Sequence, residues 1–276
     1  MSKFNTQRLL AIGILGLSAA AFPSLTFADH SWGGYHWART GNPFTLNLGD
    51  NVSATWDSYL GITRSDWSNS AEHPTELNAA IVSGAGKRRC GPVSGRVEVC
   101  NASYGNNGWL GIASIWASGT HITQGTVKLN DSYFNTTKYN TTAWRNLVTC
   151  QEVGHTLGLD HQDETFGNIN LGTCMDYTND PTANQHPNTH DYKELGIIYT
   201  HLDPTTTLAS STSSLPSRAN GKPAAHNTPA VVNEIDTSNP AEWGMLVSST
   251  HGGWVETYER DLGANQKLIT HVIWAK

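Results

Sequence analysis

Charge is scarce in this 276-residue chain, at 14% of residues, and neither sign is concentrated. Seventeen Lys and Arg face 23 Asp and Glu for a net charge of -6, and Lys87-Arg88-Arg89 is the only basic run. Phosphate binding needs clustered cations, so nucleic acid is excluded as an expected partner. Long apolar runs are absent beyond the N-terminus. No later stretch approaches the length of a membrane-spanning helix, and mean hydropathy is -0.39. Acidic residues at the regular spacing of an EF-hand are missing too, so the oxygen-rich run Gln162, Asp163, Glu164, Asn168 and Asn170 reads as a solvated connection. Cysteine is limited to four residues, Cys90, Cys100, Cys150 and Cys174.

The N-terminus has the form of an export signal. Lys3 and Arg8 are basic, Leu9 to Ala21 are apolar, and Thr26-Phe27-Ala28 offers a small-residue cleavage site. The expected organisation is a signal peptide over 1–28, a main domain over 29–203, a Thr, Ser, Ala, Pro and Gly-rich linker over 204–230, and a small β appendage over 231–276. A secreted, extracellular location follows as an expectation. Four cysteines in an exported chain read as two disulfides, for which three connectivities exist. Cys90 with Cys100 would close a hairpin-like loop; Cys150 with Cys174 would fix a helix to the segment after it. Metal ligation by Cys150 is the competing reading, but it lies about 100° round the helix from Gln151, away from His155.

The most informative stretch is Cys150-Gln151-Glu152-Val153-Gly154-His155-Thr156-Leu157-Gly158-Leu159-Asp160-His161, followed by Cys174-Met175-Asp176-Tyr177. On a helix Gln151 and His155 share a face, with Glu152 beside them. Gly158 supplies the backbone freedom to leave the helix sharply and bring His161 back to the same point. This stretch resembles the metzincin zinc-peptidase signature, His-Glu-x-x-His-x-x-Gly-x-x-His with a downstream Met-turn, in a matrixin-like form. Glu152, His155, Gly158, His161 and Met175 match it position by position. Gln151 stands where the family has its first histidine, and an amide oxygen is a weaker donor to zinc than imidazole.

The resemblance implies an α+β fold: a twisted mixed sheet, an active-site helix, a Met-turn and a closing C-terminal helix. It also implies Zn2+ held by Gln151, His155 and His161, Glu152 as general base, and a peptide or protein substrate. Tyr177 falls where astacins and serralysins have a tyrosine that contacts the zinc or the oxyanion, and either role is implied here. Leu110 to Ala113 resembles the edge strand that pairs with extended substrate, although an ordinary edge or core strand reads equally well. His186 and His190 are more distant replacements for the missing histidine. Arg89-Cys90-Gly91 resembles part of a cysteine switch, but it lies inside the domain with Cys100 as a partner. No propeptide-like stretch precedes the first strand, so latency would need another device. A non-catalytic peptidase-shaped binding protein, and an envelope- or glycan-binding protein acting through its C-terminal strands, are the alternatives. Oligomeric state is silent in the sequence.

Local patterns complete the expectation. Trp32, Tyr35, His36 and Trp37 form an aromatic arm that packs on the domain, and His36 and His73 are read as satisfied or solvated, without a role. Phe44 to Leu48, Arg96 to Cys100, Trp109 to Trp116, His121 to Thr123 and Thr126 to Asn130 read as strands, with Gly125 as a bulge. Residues 52–60 fit a strand end or a helix, and 75–82 fit a helix after Pro74. Thr142 and Asp191 are the expected helix caps. The last part alternates in three runs, Trp243 to Val247, Trp254 to Tyr258 and Leu268 to Trp274, separated by glycine turns.

Overall fold

The computed structural model describes residues 30–68, 77–86, 88–209, 235–250 and 254–275. The signal segment, His73, most of the 204–230 linker and the Gly252-Gly253 turn lie outside the described residues.

Alternating inward residues build one sheet. Its strands are β1 (His36–Trp37), β2 (Phe44–Asn51), β3 (Leu77–Ser83), β4 (Arg96–Ala102), β5 (Trp109–Ser118), β6 (His121–Asn130), β7 (Met245–Thr250), β8 (Val255–Gly263) and β9 (Gln266–Trp274). Their order is β3-β2-β4-β6-β5-β9-β8-β7, with β1 added to β6. β1 to β4 and β6 pair in parallel, while β5, β7, β8 and β9 pair antiparallel, giving a mixed sheet in an α+β fold. The helices are α1 (Asp57–Trp67), the single turn α2 (Asp131–Phe134), α3 (Thr142–Thr156) and α4 (Thr189–Ile198). Leu46, Leu48, Val97, Val99 and Leu129 from the sheet meet Trp67, Val148, Val153 and Met175 in one core, and α3 runs through it with every residue from Arg145 to Thr156 buried. Among the described residues no helix is long and apolar enough to cross a membrane.

Several local expectations are corrected. Residues 77–83 form a strand, because Leu77 and Ala79 face the core while Asn78 faces out, a period of two that the alanines disguised as helix. Residues 57–67 are helical throughout. Gly125 stays in register with Val97 and Ile115; the bulge lies two residues earlier on β6, where Thr123 is the extra residue opposite the Trp116–Ala117 step. The cap of α3 is Thr141, whose hydroxyl accepts the Trp144 N–H, and the cap of α4 is Asn188, with Asp191 completing a reciprocal capping box three residues on. The C-terminal strands join the main sheet: β9 pairs along the whole of β5, and β8 and β7 continue it outward.

Lys128 on β6 is almost wholly buried, with Nζ 3.4 Å from Asp236 Oδ1 and 5.7 Å from the Tyr104 ring. Burial pulls its pKa from 10.5 down to about 8 against the opposing pull of Asp236. Between these values the unfolded chain keeps a proton that the folded chain has lost, so stability rises with pH across that window. We expect a gain on the order of 2 kcal/mol between about pH 7.5 and about pH 9.5, read from urea midpoints. Lys128→Met is expected to abolish most of it; an equal rise in the variant would place the titration elsewhere.

Candidate metal centre

The site is assembled by α3 and the segments that fold back on it. Leu157 ends the helix and Gly158 turns the chain at φ +98°; a Cβ there would lie 2.1 Å from the Tyr35 carbonyl oxygen, so only glycine fits. The N-terminal arm pairs with this turn. Trp32 N–H donates to Gly158 O at 2.7 Å, and Asp160 N–H donates to His30 O at 2.6 Å. Met175 Sδ would be 2.7 Å from a Cβ at Gly154, so the segment carrying Met175 touches the backbone of α3. Gln162 N–H to Met175 O and Tyr177 N–H to Asp163 O tie the turn to the chain that carries His161. Disulfides join Cys150 to Cys174 and Cys90 to Cys100, the pairings favoured from sequence. Both remove any thiol from metal binding or from a switch.

His155 and His161 come together with ring centroids 4.4 Å apart, and a third imidazole that sequence reasoning passed over, His271 of β9, joins them. One ligand atom from each of the three lies within 4.8 Å of the others, and all three side chains are buried. His271 stacks on His155 at 4.1 Å. It reaches the site because it sits opposite Ala113 in the β5–β9 register. A titratable residue inside the apolar run from Leu268 to Trp274 was the available signal. The His155 tautomer is set from behind. His155 Nδ1 is 2.9 Å from Leu159 O, a carbonyl that can only accept, so Nε2 keeps the lone pair in the neutral ring. Thr257 Oγ1 is 3.1 Å from His271 Nδ1, leaving its buried Nε2 without a hydrogen-bond partner.

Gln151 is fully buried, and its amide donates to Cys174 O at 2.9 Å while Oε1 has no hydrogen-bond partner among the described residues. Glu152 lies under β5, where a Cβ on Gly111 would come within 2.5 Å of Oε1, and Oε2 is unpartnered. The Tyr177 ring leans on His161 at 4.1 Å, with its hydroxyl also buried and unpartnered. His186 pairs with Asp66 at 2.9 Å and His190 stacks on His30 at 4.9 Å, so neither replaces the missing first histidine.

Electrostatics follow from burial. Desolvation raises Glu152 well above the usual carboxyl range, with the Ala113 backbone opposing it. Desolvation holds His155 well below its ordinary value, helped by its two imidazole neighbours, and brings His271 down to about 3. Asp160 is held below the usual carboxylate range: its own desolvation would raise it, but the hydrogen bond from His161 and the neighbouring imidazoles outweigh that. Its Oδ1 lies 3.3 Å from His161 Nδ1 and 3.8 Å from His271 Nε2.

Three buried imidazoles with ligand atoms within 4.8 Å of one another, beside buried oxygens lacking partners among the described residues, are a donor set that a divalent cation fits. The expected open strand edge is corrected. Leu110 to Ala113 are buried, and β5 is paired on both sides, by β6 and by β9, so no backbone remains there for an incoming peptide. Trp32 closes the site further, its ring 3.8 Å from His271 and 5.9 Å from His155. No family model matches the chain, and no curated protein matches it.

Proposed function

We propose that the chain is a metal-dependent peptidase of metzincin type, with His155, His161 and His271 as its imidazole donors and Glu152 as its proton carrier. The observation that carries this is the convergence of three buried imidazoles within 4.8 Å on the helix that bears an unpartnered carboxylate oxygen. Three imidazole nitrogens favour zinc among the common divalent ions. When bound, the ion would polarise a peptide carbonyl and acidify a water. Glu152 accepts the proton of the attacking water and returns it to the departing amine, a role suited to a carboxyl whose pKa burial has raised. The Tyr177 hydroxyl is the donor available to the developing oxyanion. Gln151 acts as a positioning residue, fastening the Met-turn to α3 through Cys174, with its oxygen as the competing fourth donor.

The fold described is the closed form, since Gln151, Glu152, His155, His161 and His271 are each less than a tenth exposed. Substrate entry requires the arm that carries Trp32 to part from the site while β9 stays in place with His271, and that cover would supply the latency that a propeptide provides elsewhere. The direct experiment measures zinc in the purified protein and chelator-sensitive cleavage of an unfolded protein substrate. Absence of bound metal after exposure to excess zinc sinks the reading. Trp32→Ala is expected to speed metal removal by a chromophoric chelator severalfold and to cost about 3 kcal/mol of stability. An unchanged removal rate would show that the indole is not the cover.

The same closure favours a second reading, a secreted binding protein that retains the scaffold without chemistry. It predicts stoichiometric metal with no cleavage, and binding that survives Glu152→Gln.

A further inference from the structure

A separate cluster lies where the N-terminal arm, the β5–β6 turn and the chain after α4 meet. His36 comes from β1, His121 opens β6 opposite it in register, and His201 and Asp203 follow α4. Asp203 Oδ1 is 3.6 Å from His36 Nε2, 3.2 Å from His121 Nε2 and 3.6 Å from His201 Nε2. His36 Nε2 and His201 Nε2 are 3.2 Å apart, and His36 and His121 offer ligand atoms within 4.8 Å. A tetrahedral zinc with bonds of about 2.0–2.1 Å has ligand-to-ligand edges of about 3.3–3.4 Å. Four of the edges here, at 3.2–3.6 Å, bracket that length. The His36 ring stands near perpendicular to those of His121 and His201, at 85° and 81°, so the three imidazoles approach from different directions.

The donors are also prepared from behind. His36 Nδ1 is 2.9 Å from Gly34 O, which leaves a lone pair on Nε2 in the neutral ring. Asp203 Oδ2 accepts the Arg39 N–H at 3.1 Å, which directs Oδ1 to the imidazoles, and Asp203 N–H donates to Arg39 O. The His36 lone pair therefore faces a second nitrogen and a carboxylate oxygen with little solvent to separate them, since the side chains of His36 and Asp203 are 6% and 5% exposed. One hydrogen can relieve only one of these contacts. A central cation relieves them all.

From this geometry we propose a second metal site, of zinc type and structural role, formed by His36, His121, His201 and Asp203. His36, His121 and Asp203 form one group of ligand atoms within 4.8 Å of one another, and His201 lies beside His36 and Asp203 as a fourth donor; a site offered four protein donors has the pattern of a structural rather than a hydrolytic centre. The ion would pin β1, and with it the arm that carries Trp32, to the end of α4. This inference does not depend on the peptidase reading.

The test is zinc titration of the chelator-stripped full chain, with cobalt as a spectroscopic probe. Wild type is expected to take two equivalents. His121→Ala/His201→Ala removes the two half-exposed donors, with 36% and 55% of their side chains exposed, so the fold should survive. It is expected to take one equivalent and to lose one set of tetrahedral cobalt bands and the associated zinc-induced rise in Tm. His155→Ala, at the other cluster, is expected to keep those bands. Unchanged stoichiometry and cobalt spectrum in the double variant overturn the second site, as does a wild type whose only metal is lost in His155→Ala. A wild type whose only metal is lost in the double variant upholds it and removes the peptidase reading.

Discussion

Alanine in place of His271 is expected to weaken zinc binding at the α3 cluster by about 100-fold or more, the upper end of what loss of an outer-shell partner already costs. Gln151→Ala should cost tenfold or less by the same comparison of donor strength. The reasoning is chemical. His271 offers an unpartnered buried nitrogen, whereas the Gln151 amide is committed through its N–H to Cys174 O. Stability should reverse the order. Gln151→Ala strands the Cys174 carbonyl in a buried setting, at about 1–3 kcal/mol. His271→Ala leaves only Thr257, whose hydroxyl can rotate to another acceptor. Competition titration with a chelator, beside urea unfolding of the metal-free proteins, reads both. Tighter dependence on Gln151 than on His271 would return the amide to the ligand set and leave β9 as a plain cover.

That contrast marks where the sequence was readable. Gln151, Glu152, His155, Gly158 and His161 lie within eleven residues, so helix periodicity and one glycine turn are enough to place them. Met175 and Tyr177 are reached only through the resemblance of the motif, not from local pattern, while the Cys150–Cys174 bond closes over a short interval. His271 lies 110 residues beyond His161 and enters only because β9 chooses β5 as its partner in one register. Pairing between distant strands leaves no local trace, since an alternating run satisfies any open edge equally well. The same blindness hid the covering of Leu110 to Ala113. It also hid the second cluster, whose four donors are spread from His36 to Asp203 and meet through β1 pairing in parallel with β6.

Glu152→Gln is expected to lower kcat by about 10²–10⁴ while leaving zinc stoichiometry unchanged, because the amide can neither take nor return a proton. The same change should raise stability. Glu152 is wholly desolvated, one of its oxygens lacks a partner, and burial has pushed its pKa well above the ordinary range. Burial therefore favours the protonated form more in the folded chain than in the unfolded one, which costs stability as pH rises above the usual carboxyl value, while the same shift makes the carboxylate a stronger base. A neutral amide of the same shape removes that cost while its oxygen still accepts the Ala113 N–H. Urea midpoints at neutral pH should therefore move upward in the variant, and the gap should close as pH falls below the ordinary carboxyl pKa. Opposite movement of activity and stability from one isosteric change is the behaviour of a group kept for chemistry at the expense of the fold. A variant that loses stability and keeps its cleavage rate would assign Glu152 to packing and move the proton carrier elsewhere.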